Sequence, residues 1–200
     1  MKKIINIKKD TNNKFLNLYS LTYQDDEKQY DYYMASRRDE KNLSCLGSDK
    51  TDAVRIIPYF VKDKKIYIVL IYEFRHPIGC YIYSVPAGLI DEGESFEQAA
   101  KRELVEEIGA KVVSLKQTEK PSYSSVGLTD EKLVCFEAQV DLIYKQQLDE
   151  NEDIKIKIIA LDELEEFLDN KQFGLQSALQ LRGFIYKKKL EQLKGKIWKK

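Results

Sequence analysis

The chain of 200 residues predicts an α+β fold of the α/β class, with helices packed on a mixed β-sheet and a small antiparallel β segment at the N-terminus. Three observations carry this prediction. Segments that read as strands outnumber those that read as helices, and they do not follow the βαβ order of a purely parallel sheet. Hydrophobic residues make up 43% of the chain and aromatic residues 11%, enough to exclude disorder and to supply a core. One amphipathic segment, 96–108, has a start signal and a stop signal of a helix.

The elements follow in order. Residues 14–23 (KFLNLYSLTY) and 30–38 (YDYYMASRR) are rich in aromatic and apolar residues around a polar turn, so they read as a hairpin. Alternation along the second strand explains at least two of Tyr30, Tyr32 and Tyr33 as packing residues. NLSCLGSDKTD connects this segment to the main body, which divides the chain into residues 1–48 and 49–200. AVRIIPYF and KIYIVLIYEFR form a second hairpin around VKDKK. GCYIYSVPAG is a strand that ends at Pro86 and Gly88. In the helix that follows, Ser95 and Gln98 have capping-box spacing, and Phe96, Ala100, Leu104 and Ile108 form the apolar stripe. Gly109 closes it in the left-handed conformation. EKLVCFEAQV and IKIKIIA are strands around the polar loop KQQLDENED. LDELEEFLDN is a short helix with Asp162 as its N-cap, and 175–193 is a longer helix.

Charge and cysteine content narrow the function. The 33 basic and 33 acidic residues cancel, so no overall field points to nucleic acid. The lysines at 187–189 and 194–200 read as a solvated helix end. Three cysteines with no C-x-x-C spacing, Cys45, Cys80 and Cys135, are expected to be buried free thiols in a reducing cytoplasm. The first ten residues lack the apolar run of a signal peptide, and no 18-residue apolar segment exists, so a cytoplasmic protein without a membrane partner is expected.

The chemistry concentrates in AGLIDEGESFEQAAKRELVEEIGA. Glu103, Glu106 and Glu107 fall within roughly 100° of one helix face, and like charges at these spacings oppose the helix. They also lie near its C-terminal end, where the macrodipole disfavours anions. A hard divalent cation would reverse this penalty; carboxylates without nearby histidine or cysteine suit Mg²⁺ or Mn²⁺ rather than zinc. Arg102 is placed to pair with Glu106 at i,i+4. The alternative, a solvated acidic face, does not account for the other placed residues: Gly88, Glu94, Arg102, Glu103, Leu104, Glu106, Glu107, Gly109 and Ala110.

Those nine positions over 23 residues resemble the Nudix box of hydrolases that cut a nucleoside diphosphate linked to another moiety. YEFRHPIGCYIYSVPAGLIDEGES, SSVGLTDE and DENEDIKIKIIALDELEEFLDNKQF are similar to segments of the ADP-ribose pyrophosphatases, and the likeness spans roughly residues 14–190. It implies an α/β/α sandwich with a mixed sheet, and Mg²⁺-dependent cleavage of ADP-ribose to AMP and ribose 5-phosphate. It also implies a homodimer built through residues 1–48. By the same resemblance Glu103 and Glu107 are the principal metal ligands, Glu106 assists, and the carbonyl of Ala87 contributes. Glu150 is the general base, with Glu131 as its rival, and Glu152 is a further metal ligand. Arg75 contacts phosphate; Tyr33 and Arg37 receive base and phosphate; Gly127 and Val126 line the substrate end. The family's marker proline falls on Val126, which leaves GDP-mannose, UDP-glucose or a dinucleoside polyphosphate as alternative substrates. A non-catalytic module that binds ADP-ribose is the third alternative.

Overall fold

A computed structural model describes residues 2–143, 145–148, 150 and 153–197. The chain forms two compact units, one of residues 1–53 with 121–134, the other of 54–120 with 135–200.

The first unit is built on three antiparallel strands: β1 (Lys3–Lys9), β2 (Asn17–Asp25) and β3 (Lys28–Ser36). Asp25 pairs with Lys28, so the expected hairpin closes through a tight turn, with Asp26 at φ 50°. An Asp tolerates this left-handed conformation better than most side chains. β1 was not expected; its partly lysine-covered alternation gives almost no buried residue, as suits an edge strand. Tyr19, Leu21, Met34 and Leu43 form the small core of this unit. Below it, Arg38 is buried and donates to both oxygens of Asp52, at 3.2 and 2.6 Å, and to Lys50 O at 2.8 Å. Asp130 lies 3.6 Å from the same guanidinium. Burial works against the Arg38 charge, but the hydrogen bonds and fields of Asp52 and Asp130 outweigh it and hold its pKa above the ordinary arginine value.

The tyrosines of β3 correct the packing expectation. Tyr30, Tyr32 and Tyr33 are 38%, 45% and 58% exposed, while Met34 and Ser36 are buried. The strand buries only its last third, so alternation alone overstated the packing. Tyr30 stacks on Tyr23 across the hairpin at 5.7 Å between centroids.

The second unit is centred on a seven-stranded mixed sheet that uses β4 (Ala53–Lys62), β5 (Lys65–Arg75), β6 (Cys80–Ser84) and β7 (Ala87–Leu89). Helix α1 (Phe96–Ile108) follows, then β8 (Ala110–Tyr123), β9 (Lys132–Leu142) and β10 (Ile154–Ala160). The order is β10-β5-β4-β9-β8, with β6 on β5 and β7 on β4. Two helices, α2 (Leu164–Asn170) and α3 (Leu175–Ile197), complete the unit. Ile68 and Leu70 of β5 pack with Leu164, Leu168, Leu181 and Phe184 of these helices. Strand alternation turns the equally buried Val69 and Ile71 to the other face. α1 packs on β5 and β7.

Four departures from expectation have identifiable reasons. β8 was not expected because most of its residues are exposed and it occupies a sheet edge, where hydrophobic alternation is weak. Asp162 does not cap α2. Glu163 N bonds Ala160 O in a turn, and Glu163 takes the cap position with no side-chain hydrogen bond. The lysines of α3 are not simply solvated: Lys187 holds both oxygens of Glu137, Lys189 pairs with Glu165, and Lys188 lies over the ring of Tyr59. The cysteines are free, as expected, but not buried: Cys45 is exposed, and Cys80 and Cys135 are half-buried. Cys45 lies in a surface 3-10 turn, which leaves its side chain accessible.

Candidate active site

The acidic helix is held at both ends by local chemistry. Gln98 N donates to Ser95 Oγ at 3.2 Å, and Ser95 N donates to Gln98 Oε1 at 2.8 Å, completing the capping box. Gly109, at φ 62°, ends the helix, and its N–H bonds Val105 O at 3.0 Å. Ala99, Ala100, Leu104 and Ile108 are buried, so α1 is anchored by one side. The adjacent side carries Glu103 and Glu107, which are only 7% and 4% exposed.

These two carboxylates are directed at β7. Glu107 Oε2 accepts from Ala87 N at 3.1 Å. A Cβ built on Gly88 would fall inside the Glu103 carboxylate, so the absent side chain at Gly88 is what lets Glu103 lie there. Arg102 then resolves much of the repulsion that the sequence posed. It donates through Nε and Nη2 to the two oxygens of Glu94, at 3.1 and 3.0 Å. Its Nη1 reaches Glu103 Oε1 at 2.7 Å and Glu106 Oε2 at 2.9 Å, and its Nη2 reaches Leu89 O at 2.8 Å. One planar cation thus serves three carboxylates and a carbonyl, a task suited to guanidinium rather than ammonium. The Arg102 hydrogen bonds pull Glu94 below the ordinary carboxylate range, and Glu94 in turn raises the pKa of Arg102.

The C-terminal carbonyls of α1 are also satisfied, by residues that sequence spacing did not single out. Gln147 N donates to Glu106 O at 2.8 Å, and Gln146 Nε2 to Glu107 O at 2.6 Å. Ile143 N bonds Gly109 O at 3.2 Å. The polar loop after β9 is therefore fastened to the acidic helix by backbone acceptors, which leave no pattern in the side-chain sequence. Glu150 stands exposed in a turn of this loop; Glu152 lies outside the described residues.

Arg75 ends β5 with its guanidinium 2.8 Å from Glu73 Oε1, and its side chain is 45% exposed. Burial raises the Glu73 pKa, while Arg75 and Arg55 act in the opposite direction. His76, the single histidine of the sequence, is exposed and meets Phe74 edge to face.

The remaining candidates belong to the first unit. Arg37 pairs with Glu131 at 3.7 Å. Val126, 80% exposed, sits in the turn whose Gly127 carbonyl accepts from Tyr32 OH at 2.9 Å. Tyr32 is thus the tyrosine tied to this turn, and strand alternation puts Tyr33 on the opposite face of β3. A cavity of about 260 Å³ is bordered there by Tyr23, Tyr32, Met34, Cys45, Tyr123 and Val126.

The fit to a metal rests on donor chemistry and on the cradle at Gly88. The donors are carboxylate and backbone oxygens, the set that hard divalent cations take. Among the described residues, no group of three or more His, Cys, Asp or Glu is already placed to hold a metal ion, and Arg102 joins Glu94, Glu103 and Glu106. The residues fit the group by type and by proximity to β7.

Strand β7 with Gly88 in it and the capped helix bearing two buried glutamates form the candidate site. The NUDIX domain model matches residues 49–179. An uncharacterized Nudix hydrolase of Schizosaccharomyces pombe is 31% identical over 175 residues, 83% of this chain and 82% of the relative. The ADP-ribose pyrophosphatase of Saccharomyces cerevisiae is 30% identical over 190 residues, 87% and 78% of the two chains. A solved structure described as an ADP compounds hydrolase superposes with a TM-score of 0.73 at 20% identity, covering 96% of this chain and 95% of that one. The chain belongs to the Nudix family and is a Nudix pyrophosphatase.

Proposed function

We propose that the protein hydrolyses the pyrophosphate of ADP-ribose to AMP and ribose 5-phosphate, with Mg²⁺ as cofactor. The observation that carries this reading is the pair of buried carboxylates, Glu103 and Glu107, set against the backbone of Ala87 and Gly88. The names of similar proteins, ADP-ribose pyrophosphatase and ADP-sugar pyrophosphatase, support the substrate class. Glu103, Glu107 and the Ala87 carbonyl would hold the cation, with Glu106 assisting and Glu152 as a further ligand. Bound there, the cation supplies positive charge for the pyrophosphate and for the charge that develops on it.

The chain's own groups do the rest. Arg102 fixes Glu103 and Glu106 in place through its fork. Arg75 receives a phosphate oxygen, exchanging part of its pairing with Glu73 for a doubly donated contact. Glu150 accepts a proton from the attacking water. The water oxygen bonds to phosphorus, the bridging P–O bond breaks, and the bridging oxygen leaves with one of the two product phosphates. Tyr33 and Arg37 bind base and phosphate, and Val126 and Gly127 border the substrate end. We also propose assembly of two copies through residues 1–48, in the cytoplasm.

A second reading, a different nucleotide sugar such as GDP-mannose or UDP-glucose, is favoured by Val126, the position where the resemblance to ADP-ribose pyrophosphatases implies a proline. The test is product analysis on a panel of nucleoside diphosphate sugars, with and without Mg²⁺, for the protein and for Glu107→Gln. ADP-ribose should be the fastest substrate, Mg²⁺ should be required, and Glu107→Gln should lower turnover by orders of magnitude. Its thermal stability in metal-free buffer should be equal or higher, because like-charge repulsion is relieved. Near-normal turnover by Glu107→Gln would refute the metal-site assignment.

A further inference from the structure

Helix α3 is apolar on two roughly opposite faces. Leu181, Phe184 and Ile185 are buried in the core of the second unit. Leu175, Leu179, Tyr186, Leu190 and Leu193 are 75%, 60%, 54%, 57% and 55% exposed. At about 100° per residue, these five fall within an arc of roughly 60° on the side away from the buried three. A surface helix ordinarily turns polar residues outward, and a contiguous apolar patch of this kind marks an interaction site.

The rim of the stripe speaks to what covers it. Arg182 pairs with Asp169 at 2.6 Å, Lys189 with Glu165 at 2.6 Å, and Lys187 with Glu137 at 2.6 Å. Among the described residues these three bordering cations are neutralised within the chain, whereas a helix that lies on an anionic membrane offers its cations to the lipid. Five side chains at roughly 100 Å² each give roughly 500 Å² per copy, so pairing two copies removes on the order of 1,000 Å², enough for a specific interface.

We propose that a second copy of this chain docks on the stripe, the two α3 helices packing antiparallel about a two-fold axis near Gly183. The helix dipoles set the direction. Parallel packing would align them, whereas antiparallel packing opposes them. Gly183, at the midpoint of the stripe, faces open space, so the helices can approach closely there.

Sedimentation of the full chain at micromolar concentration, compared with Leu179→Glu/Leu190→Glu, tests the proposal. The double variant should keep its far-UV circular dichroism and show half the assembly mass, dimer to monomer, or tetramer to dimer where residues 1–48 also pair. Its dissociation constant for that step should rise at least 100-fold. Independently, Tyr186→Cys should cross-link to its own copy through a short bis-maleimide, with the 186–186 link mapped by mass spectrometry. Leu175→Cys should not, because antiparallel packing sets Leu175 near the opposite end of the partner helix. A monomeric wild type, an unchanged mass in the double variant, or a 175–175 link without a 186–186 link overturns the proposal. So does stripe-dependent flotation of the protein with phosphatidylserine vesicles.

Discussion

Gly88 lies so close to Glu103 that a Cβ on the glycine would overlap the carboxylate. The missing side chain is therefore part of the geometry of α1, eight residues before that helix begins. The φ of Gly88 is not in the left-handed region, so the requirement is space rather than backbone freedom. Gly88→Ala should displace Glu103 and lower turnover at least 100-fold, with the circular dichroism of a folded protein. Adding Glu103→Ala should relieve the clash and restore thermal stability without restoring activity. A Gly88→Ala enzyme with wild-type turnover would show that Glu103 need not lie against β7.

Arg102 is the next point of leverage. Removing it leaves Glu94, Glu103 and Glu106 without the cation that they share. Arg102→Ala should cost about 1–3 kcal/mol at pH 7, the scale of charged hydrogen bonds discounted for partial exposure. Lysine should recover less than half of this, since it lacks the planar fork. The pH dependence follows from Glu94, whose folded pKa is lowered by Arg102. A carboxylate with a lowered folded pKa contributes stability that is present above its unfolded value, near 4.5, and lost as pH falls through the folded value. The gap between wild type and Arg102→Ala should be constant from pH 6 to 8 and narrow below about pH 4.5. Denaturant titrations across that range provide the check; a gap that widened in acid would contradict the pairing.

What could be read in the sequence was mostly local. The cap at Ser95, the stop at Gly109 and the i,i+4 pairing of Arg102 with Glu106 depend on residues within a few positions of one another, and all three are present. Arg102 also holds Glu94 and the carbonyl of Leu89, contacts that helical spacing does not predict because they cross from helix to loop. The buried ion group of Arg38, Asp52 and Asp130 was missed for a similar reason: its members come from three separate stretches of chain. β1 and β8 escaped because edge strands bury too little to leave a clean alternation. The fastening of Ile143, Gln146 and Gln147 to the end of α1 uses backbone carbonyls as acceptors, on which side-chain identity is silent.

Glu73 offers a prediction of opposite sign. Burial raises its folded pKa, against the partial opposition of Arg75 and Arg55. For a carboxyl with a raised folded pKa, the ionised form costs stability at neutral pH, and the cost disappears as pH falls through the folded value toward the unfolded one. Glu73→Gln should therefore raise the melting temperature at pH 7 and lose that advantage by about pH 4. The same change frees Arg75, which should lower KM for a nucleoside diphosphate if Arg75 takes phosphate. A destabilised Glu73→Gln at pH 7 would mean that its pairing with Arg75 outweighs the burial.

The two candidate bases can be separated by substitution, because they occupy different units and different surroundings. Glu150 is exposed in the loop fastened to α1, whereas Glu131 is engaged by Arg37 at 3.7 Å. A carboxylate engaged by an arginine must leave that partner to reach a water, which an exposed one need not do. Glu150→Gln should then lower turnover by about 10²–10⁴-fold, the range of a lost general base, with little change in KM for ADP-ribose or in the Mg²⁺ dependence. Glu152→Gln should weaken apparent Mg²⁺ affinity and be partly rescued by added Mg²⁺. Glu131→Gln should have the smallest effect of the three, and should act through Arg37 on KM rather than on turnover. Val126 is 80% exposed in its turn, so Val126→Pro should be tolerated structurally and should shift the preference between ADP-ribose and GDP-mannose more than it shifts the Mg²⁺ dependence. Steady-state kinetics of the four variants on both compounds decide the matter. A crippled Glu131→Gln beside an active Glu150→Gln would move the base to the loop that carries Val126, and with it the point from which water attacks.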